Sequence, residues 1–210
     1  MTPEQKQTYH QQGYLIVRKL LTADRLRRLS DLIEDLLVQA SQGKKNVRMK
    51  WRDKDRMLPK ARVLGFLHDA KGLYDPYYEE WLNTDIQPWV EFLLGAPTEC
   101  DELSGLFGGT GKPWVGNWHC DKGDQGSCVV HAPVTYEDHF HQLIPDTHAR
   151  ELTEREREAE RDAHLPVPTA VQISLSPGDV LFRYANVLHR GANLEGKHRI
   201  TFLGEFRIIQ

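Results

Sequence analysis

The sequence predicts a mainly β protein covered by helices, and three observations carry that expectation. From Thr98 onward short apolar runs alternate with Gly, Pro and Asn, two earlier stretches place apolar residues at helical spacing, and 210 residues suffice for one domain with a sizeable core. Together these imply a barrel or sandwich over 98–210 and a mainly helical cover over 1–97, in a single domain spanning 1–210. With 27% charged residues and no apolar run near the roughly 20 residues of a membrane span, the chain is expected to be soluble and to have no membrane partner. A net charge of −3 gives no chain-wide attraction to nucleic acid, so the expected partner is a small-molecule substrate. The polar start, MTPEQKQTYHQQ, lacks the apolar core of a secretory signal, which makes the cytoplasm the expected compartment. Cys100, Cys120 and Cys128 have no CxxC spacing and are expected to be reduced thiols.

Residues 12–18 form a short expected strand, and Thr22 starts a helix to about Ala40. Leu26, Leu29, Ile33, Leu36, Leu37 and Ala40 recur on one helical face, Arg27, Arg28, Asp31, Glu34 and Asp35 occupy the other, and Gly43 lies where the helix should stop. The basic segment 48–62, RMKWRDKDRMLPKAR, has no clear period and predicts a solvated loop. A second helical region covers 75–94, with Pro88 marking a break or a new first turn and Gly95 its end. Strands are expected around 99–107, 114–119, 129–134, 171–175, 180–184 and 199–208. The polar insertion 152–163 carries a Thr153-x-x-Glu156 capping box and the pairs Glu151 with Arg155, Glu154 with Arg157 and Glu158 with Arg161, which predict a solvated surface helix.

The chemistry lies in the β half. In Asn117-Trp118-His119-Cys120-Asp121, strand alternation sends His119 and Asp121 to one face and Cys120 to the other, so an imidazole and a carboxylate could meet one ion. An isolated HxD is a weak signal. Downstream, SPGDVLFRYANVLHRGANLEGKHRITF places a turn, an apolar strand, His189, a loop at Gly191-Ala192-Asn193, and then Arg199 and Thr201 on one strand face. His189 is the candidate third ligand. A guanidinium fork and a hydroxyl could converge on a carboxylate beside the metal, and two histidines with one carboxylate leave open positions that suit Fe(II). His131, His139, His141, His148, His164 and His198 are rival ligands, and His139-Phe140-His141 could join His131 or Asp138 on zinc, although its polar surroundings predict a solvated loop. Arg190 and Arg207 compete with Arg199, but Arg190 adjoins the ligand and should face away, while Arg207 lies eight residues deeper in the strand.

The order HxD, then PGD-strand-His, then Arg-x-Thr resembles the Fe(II)/2-oxoglutarate-dependent oxygenases. The flanking Gln12-Gly13-Tyr14-Leu15-Ile16-Val17, Leu94-Gly95, Lys112-Pro113 and Pro145-Asp146-Thr147-His148 resemble the phytanoyl-CoA dioxygenase-like family in particular. The resemblance implies a double-stranded β-helix (jelly-roll, cupin-like) core with metal at His119, Asp121 and His189. It also implies 2-oxoglutarate anchored by Arg199, with Thr201 as a helper by position and Lys112 as a pocket residue. The activity implied is hydroxylation of an unactivated C–H bond of a small molecule with O2, releasing succinate and CO2. Retention of Asp121 argues against halogenation, which needs that coordination position. An oxoglutarate-independent cupin-like metalloenzyme and a degenerate ligand-binding module are the alternatives.

Overall fold

A computed structural model describes residues 1–41, 48–51, 65–68, 80–108, 114–121, 126–193 and 199–209. Lys112, His198, most of the basic segment and the start of the second helical region lie outside the described residues.

Two antiparallel sheets face each other. The larger contains β1 (Tyr14–Val17), β2 (Arg48–Trp51), β3 (Gly65–His68), β4 (Thr98–Gly108), β6 (Ser127–Pro133), β9 (Val180–Tyr184) and β11 (Arg199–Ile208), in the order β1-β9-β6-β11-β4-β3-β2. The smaller orders β5 (Trp114–Val115), β10 (His189–Asn193), β7 (Glu137–Leu143) and β8 (Val171–Leu175) as β5-β10-β7-β8. From β5 onward the chain alternates between sheets except at β7 to β8, which gives a jelly-roll. Three expectations change and one strand is added. Residues 48–51 of the basic segment are a strand, β3 joins it in the large sheet, and the loop expected after His189 is strand β10. Residues 137–143, expected as loop, are strand β7.

Helices cover one face of the large sheet. The N-terminal ten residues missed as a helix form α1 (Pro3–Gln12), whose Thr2–Gln5 capping box satisfies its first turn and whose last turn ends at Gly13, φ 82°. A Cβ at Gly13 would lie 2.6 Å from His148 Nδ1 and from Val187 Cγ2, so both the backbone and the close approach require glycine. α2 (Ala23–Ser41) starts with the Thr22 hydroxyl accepting from the Arg25 amide, as the sequence predicts. Pro88 follows a π-helical turn at Leu82–Ile86 and opens α3 (Gln87–Leu94); the wider turn absorbs the backbone bond that proline cannot donate.

Alternation explains why both faces of the central strands are apolar or buried. Phe182 of β9 stacks with Trp89, and Phe202 of β11 meets Trp81 at 5.3 Å, so even-numbered positions there face the helices. Burying one such phenylalanine contributes about 1.5–3 kcal/mol. Odd-numbered Arg183, Arg199 and Thr201 therefore point between the sheets. A second cluster, Trp118, Ile144, Ala159, Val167 and Leu188, seats α4 (Glu154–Arg161) against the small sheet. α4 is the surface helix its charge run predicts, with Glu156 and Ala159 as its buried residues: Glu156 takes Arg150, and Arg155 pairs with Glu158, three residues on.

Candidate active site

His119 and His189 face each other across an antiparallel bridge in which each amide donates to the other's carbonyl, at 2.9 and 3.0 Å. Directly opposed residues share a sheet face, so their rings stand side by side with centroids 4.3 Å apart. The Asp121 amide donates to the Ala185 carbonyl at 3.0 Å, which fixes the carboxylate beside the pair. His119 Nε2, the Asp121 carboxylate and His189 Nε2 lie within 4.8 Å of one another, the one such trio of His, Cys, Asp or Glu among the described residues. Each histidine uses its Nδ1 locally: His119 Nδ1–H donates to Asn117 O and His189 Nδ1–H to Val187 O, both at 2.9 Å. That tautomer leaves both Nε2 lone pairs directed at the carboxylate, the donor set a divalent transition metal takes. The turn at 144–148 braces this end, since the Leu188 amide donates to the Thr147 hydroxyl and the Ile144 amide to Leu188 O.

Arg183 was not singled out in the sequence, although a charged residue inside the apolar run Val180–Tyr184 is a legible signal. It is 3% exposed, donates from Nη2 to Asp121 Oδ2 at 2.5 Å and from Nε to His131 Nε2 at 3.3 Å, and directs Nη1 to the carbonyls of Tyr184 and Ala185. Burial would raise the Asp121 pKa, but Arg183 and His189 outweigh it and hold the carboxyl below its ordinary value. Burial and the Arg183 charge push His189 well below the usual histidine range.

Deeper between the sheets, Arg199 donates through Nε to Glu137, whose other oxygen accepts from His141 Nε2 at 3.0 Å. Arg199 Cζ also lies over the Phe140 ring, 3.3 Å from its centroid. A register shift between Glu137 and His141 makes this possible: His139 takes φ 48° and stays out, while Phe140 and His141 are both buried. The solvated loop that the polar surroundings of 139–141 predict is instead part of a buried strand, because the bulge leaves His139 outside and turns Phe140 and His141 inward. Burial raises the Glu137 pKa, yet Arg199 and His141 bring it down to about 2. Burial lowers His141 against the pull of Glu137 and drives His131 well below the ordinary range.

Three buried polar atoms here have no hydrogen-bond partner: Arg199 Nη1, Thr201 Oγ1 and His131 Nδ1. Because His131 Nε2 accepts from Arg183, its proton sits on Nδ1, so all three can donate. Unpaired buried donors are costly, and three in one interior fit an anion such as a carboxylate. Arg190 lies on the opposite face, over Trp118 and bonded to Gln142 and Ala163 O, while Arg207 is exposed with Glu99 and Asp101. The sequence offered no signal for Glu137, which converges on Arg199 only through the bulge.

No family model matches the sequence, and no curated protein matches it. Solved structures do match the fold. AviO1 from Streptomyces viridochromogenes Tue57 aligns with TM-score 0.75 at 15% identity, covering 97% of this chain and 93% of that one. The epimerase SnoN in complex with Fe3+, alpha ketoglutarate and nogalamycin RO gives 0.73 at 16% identity over 98% and 82%. EctD from S. alaskensis with 2-oxoglutarate and 5-hydroxyectoine gives 0.77 at 15% over 100% and 77%.

Proposed function

We propose that this protein is an Fe(II)- and 2-oxoglutarate-dependent oxygenase of the phytanoyl-CoA dioxygenase-like type that hydroxylates an unactivated C–H bond of a small molecule. The observation that carries this is the pairing of a His-Asp-His trio with unsatisfied donors on Arg199 and Thr201 inside one jelly-roll interior. The bound contents of SnoN and EctD, iron with alpha ketoglutarate in one and 2-oxoglutarate in the other, support the same chemistry on this fold.

His119, Asp121 and His189 would hold the metal, which with O2 and 2-oxoglutarate supplies the oxidising power for C–H cleavage and releases succinate and CO2. The carbonyls of Asn117 and Val187 keep both imidazoles in the ligating tautomer. Arg183 occupies Asp121 Oδ2 and so presents Oδ1 as the free carboxylate oxygen. Arg199 Nη1 and Thr201 Oγ1 would receive the far carboxylate of 2-oxoglutarate, while Glu137 and Phe140 hold the guanidinium still. All four side chains are buried, which keeps water from this end.

The test is succinate formation from 2-oxoglutarate by Fe(II)-loaded protein in air, with candidate small molecules added. Succinate that requires Fe(II) and disappears in His189→Ala is the expected result. Metal-loaded protein that binds 2-oxoglutarate but never forms succinate would support a ligand-binding module instead.

A further inference from the structure

We propose that Arg183 and Glu137 set the charge of the interior to zero so that a divalent metal and a dianion bind as a pair, each strengthening the other. The inference rests on the proposed function and adds to it two residues that no ligand motif marks.

Four charged side chains described above share the interior: Asp121 and Glu137 carry one negative charge each, Arg183 and Arg199 one positive charge each. Arg183, Glu137 and Arg199 are at most 3% exposed, so solvent screens them little. His131 and His141 are neutral: His131 Nε2 accepts a hydrogen bond from Arg183 and so carries no proton itself, and burial holds His141, which lies against Glu137, below the ordinary histidine value. The sum is zero. A metal ion entering alone brings two uncompensated positive charges into a buried site that already holds a guanidinium 2.5 Å from the ligand carboxylate. A dianion entering alone brings two negative charges against an Arg199 whose Nε edge is already neutralised by Glu137. Together they restore the balance. A trio of two neutral histidines and one carboxylate would attract the metal unaided; Arg183 cancels that attraction. Glu137 does the same to the anchor. Both residues therefore act as positioning groups that trade single-ligand affinity for mutual dependence.

The two residues make opposite demands when neutralised. Arg183→Gln keeps a donor for Asp121 Oδ2 but leaves the interior at −1, while Glu137→Gln keeps an acceptor for Arg199 but leaves it at +1. Co(II), a stand-in stable to air, can be titrated into the full-length protein by calorimetry with and without 2-oxoglutarate. In wild type, 2-oxoglutarate should tighten Co(II) by about ten-fold or more, and Co(II) should tighten 2-oxoglutarate by the same factor. Arg183→Gln should bind Co(II) alone about ten-fold more tightly, and Glu137→Gln about ten-fold more weakly. Arg183→Lys should stay near wild type, and the double variant, again at zero, should return toward it. Shifts of the same sign in both single variants, or no shift in either, overturn the proposal. Should a single variant lose its folded circular-dichroism spectrum, glutarate decides in wild type: this dianion lacks the 2-oxo group, yet it should tighten Co(II), and no tightening overturns the charge argument. Wild-type protein that takes Co(II) but ignores 2-oxoglutarate would instead sink the proposed function, and the metal-only shifts of the two variants would still judge the charge balance.

Discussion

The two ends of the interior are built by different means. At the metal end, His119 and Asp121 are neighbours but one, His189 meets His119 through two backbone hydrogen bonds, and both imidazoles are oriented by carbonyls two residues back. His119 retains a side chain 48% exposed, so this end opens to solvent. At the anion end, Arg199 and Thr201 from β11, Glu137, Phe140 and His141 from β7 and His131 from β6 converge through side-chain contacts between the two sheets, and every one is buried. The metal end is organised by backbone hydrogen bonds and reachable by an ion. The anion end is organised by side-chain packing and closed, so its charges must be balanced within it. This difference suggests that side-chain removal at the anion end will affect both ligand binding and folding, whereas removal of the exposed His119 will affect binding alone.

The largest expected contrast tests that coupling. Arg199→Ala should weaken 2-oxoglutarate by about 2–5 kcal/mol, on the order of 30-fold or more in apparent KM. It also strands the buried Glu137 carboxylate, so the variant should lose thermal stability as well, and the double variant Arg199→Ala, Glu137→Gln should recover much of the stability without recovering the KM. Arg190→Ala, on the outer face, should leave the KM for 2-oxoglutarate nearly unchanged. An Arg190 effect larger than that of Arg199 would move the anchor to the other side of the small sheet.

What was legible in the sequence follows the same division. HxD and Arg-x-Thr are period-two patterns within one strand, so alternation alone places each pair on a face, and the order of His189 between them completes a recognisable set. The helical stretch from Thr22 and the stop at Gly95 were legible because caps and apolar spacing are local. Glu137 and His141 were not, because a bulge with His139 at φ 48° changes which residues point inward and no spacing records it. The strands β2 and β3 were missed since they are defined by backbone pairing along the sheet edge rather than by their own composition. Arg183 was readable in principle: an arginine within Val180–Tyr184 has no reason to be there unless a buried partner awaits it.

A smaller effect follows pH. His131 and His141 are held below the ordinary histidine value when folded, so between that lowered value and about 6.5 the unfolded chain binds more protons and acid favours unfolding. Their contribution is full above about pH 6.5 and is lost as pH falls, at about 1.4 kcal/mol per pH unit for each group. Glu137, lowered to about 2, adds stability that persists down to the ordinary carboxylate range and is lost only below it. Thermal melts of metal-free protein should therefore begin to fall below about pH 6.5, and His141→Gln should flatten that slope by about one proton. Melting temperatures unchanged from pH 7 to 5.5 would mean that the buried histidines take up protons as readily in the fold as in the unfolded chain.

The central claim is that one interior takes Fe(II) at one end and the far carboxylate of 2-oxoglutarate at the other. Anaerobic addition of Fe(II) and 2-oxoglutarate, followed by visible absorption, reads both at once, because chelation of iron by a 2-oxo acid produces a charge-transfer band. Wild type should show the band, saturating at one equivalent of iron; His119→Ala, whose half-exposed side chain is dispensable to the fold, should lose it; Arg199→Ala should need far more 2-oxoglutarate to reach it. No band in wild type, or an undiminished band in His119→Ala, would contradict the account.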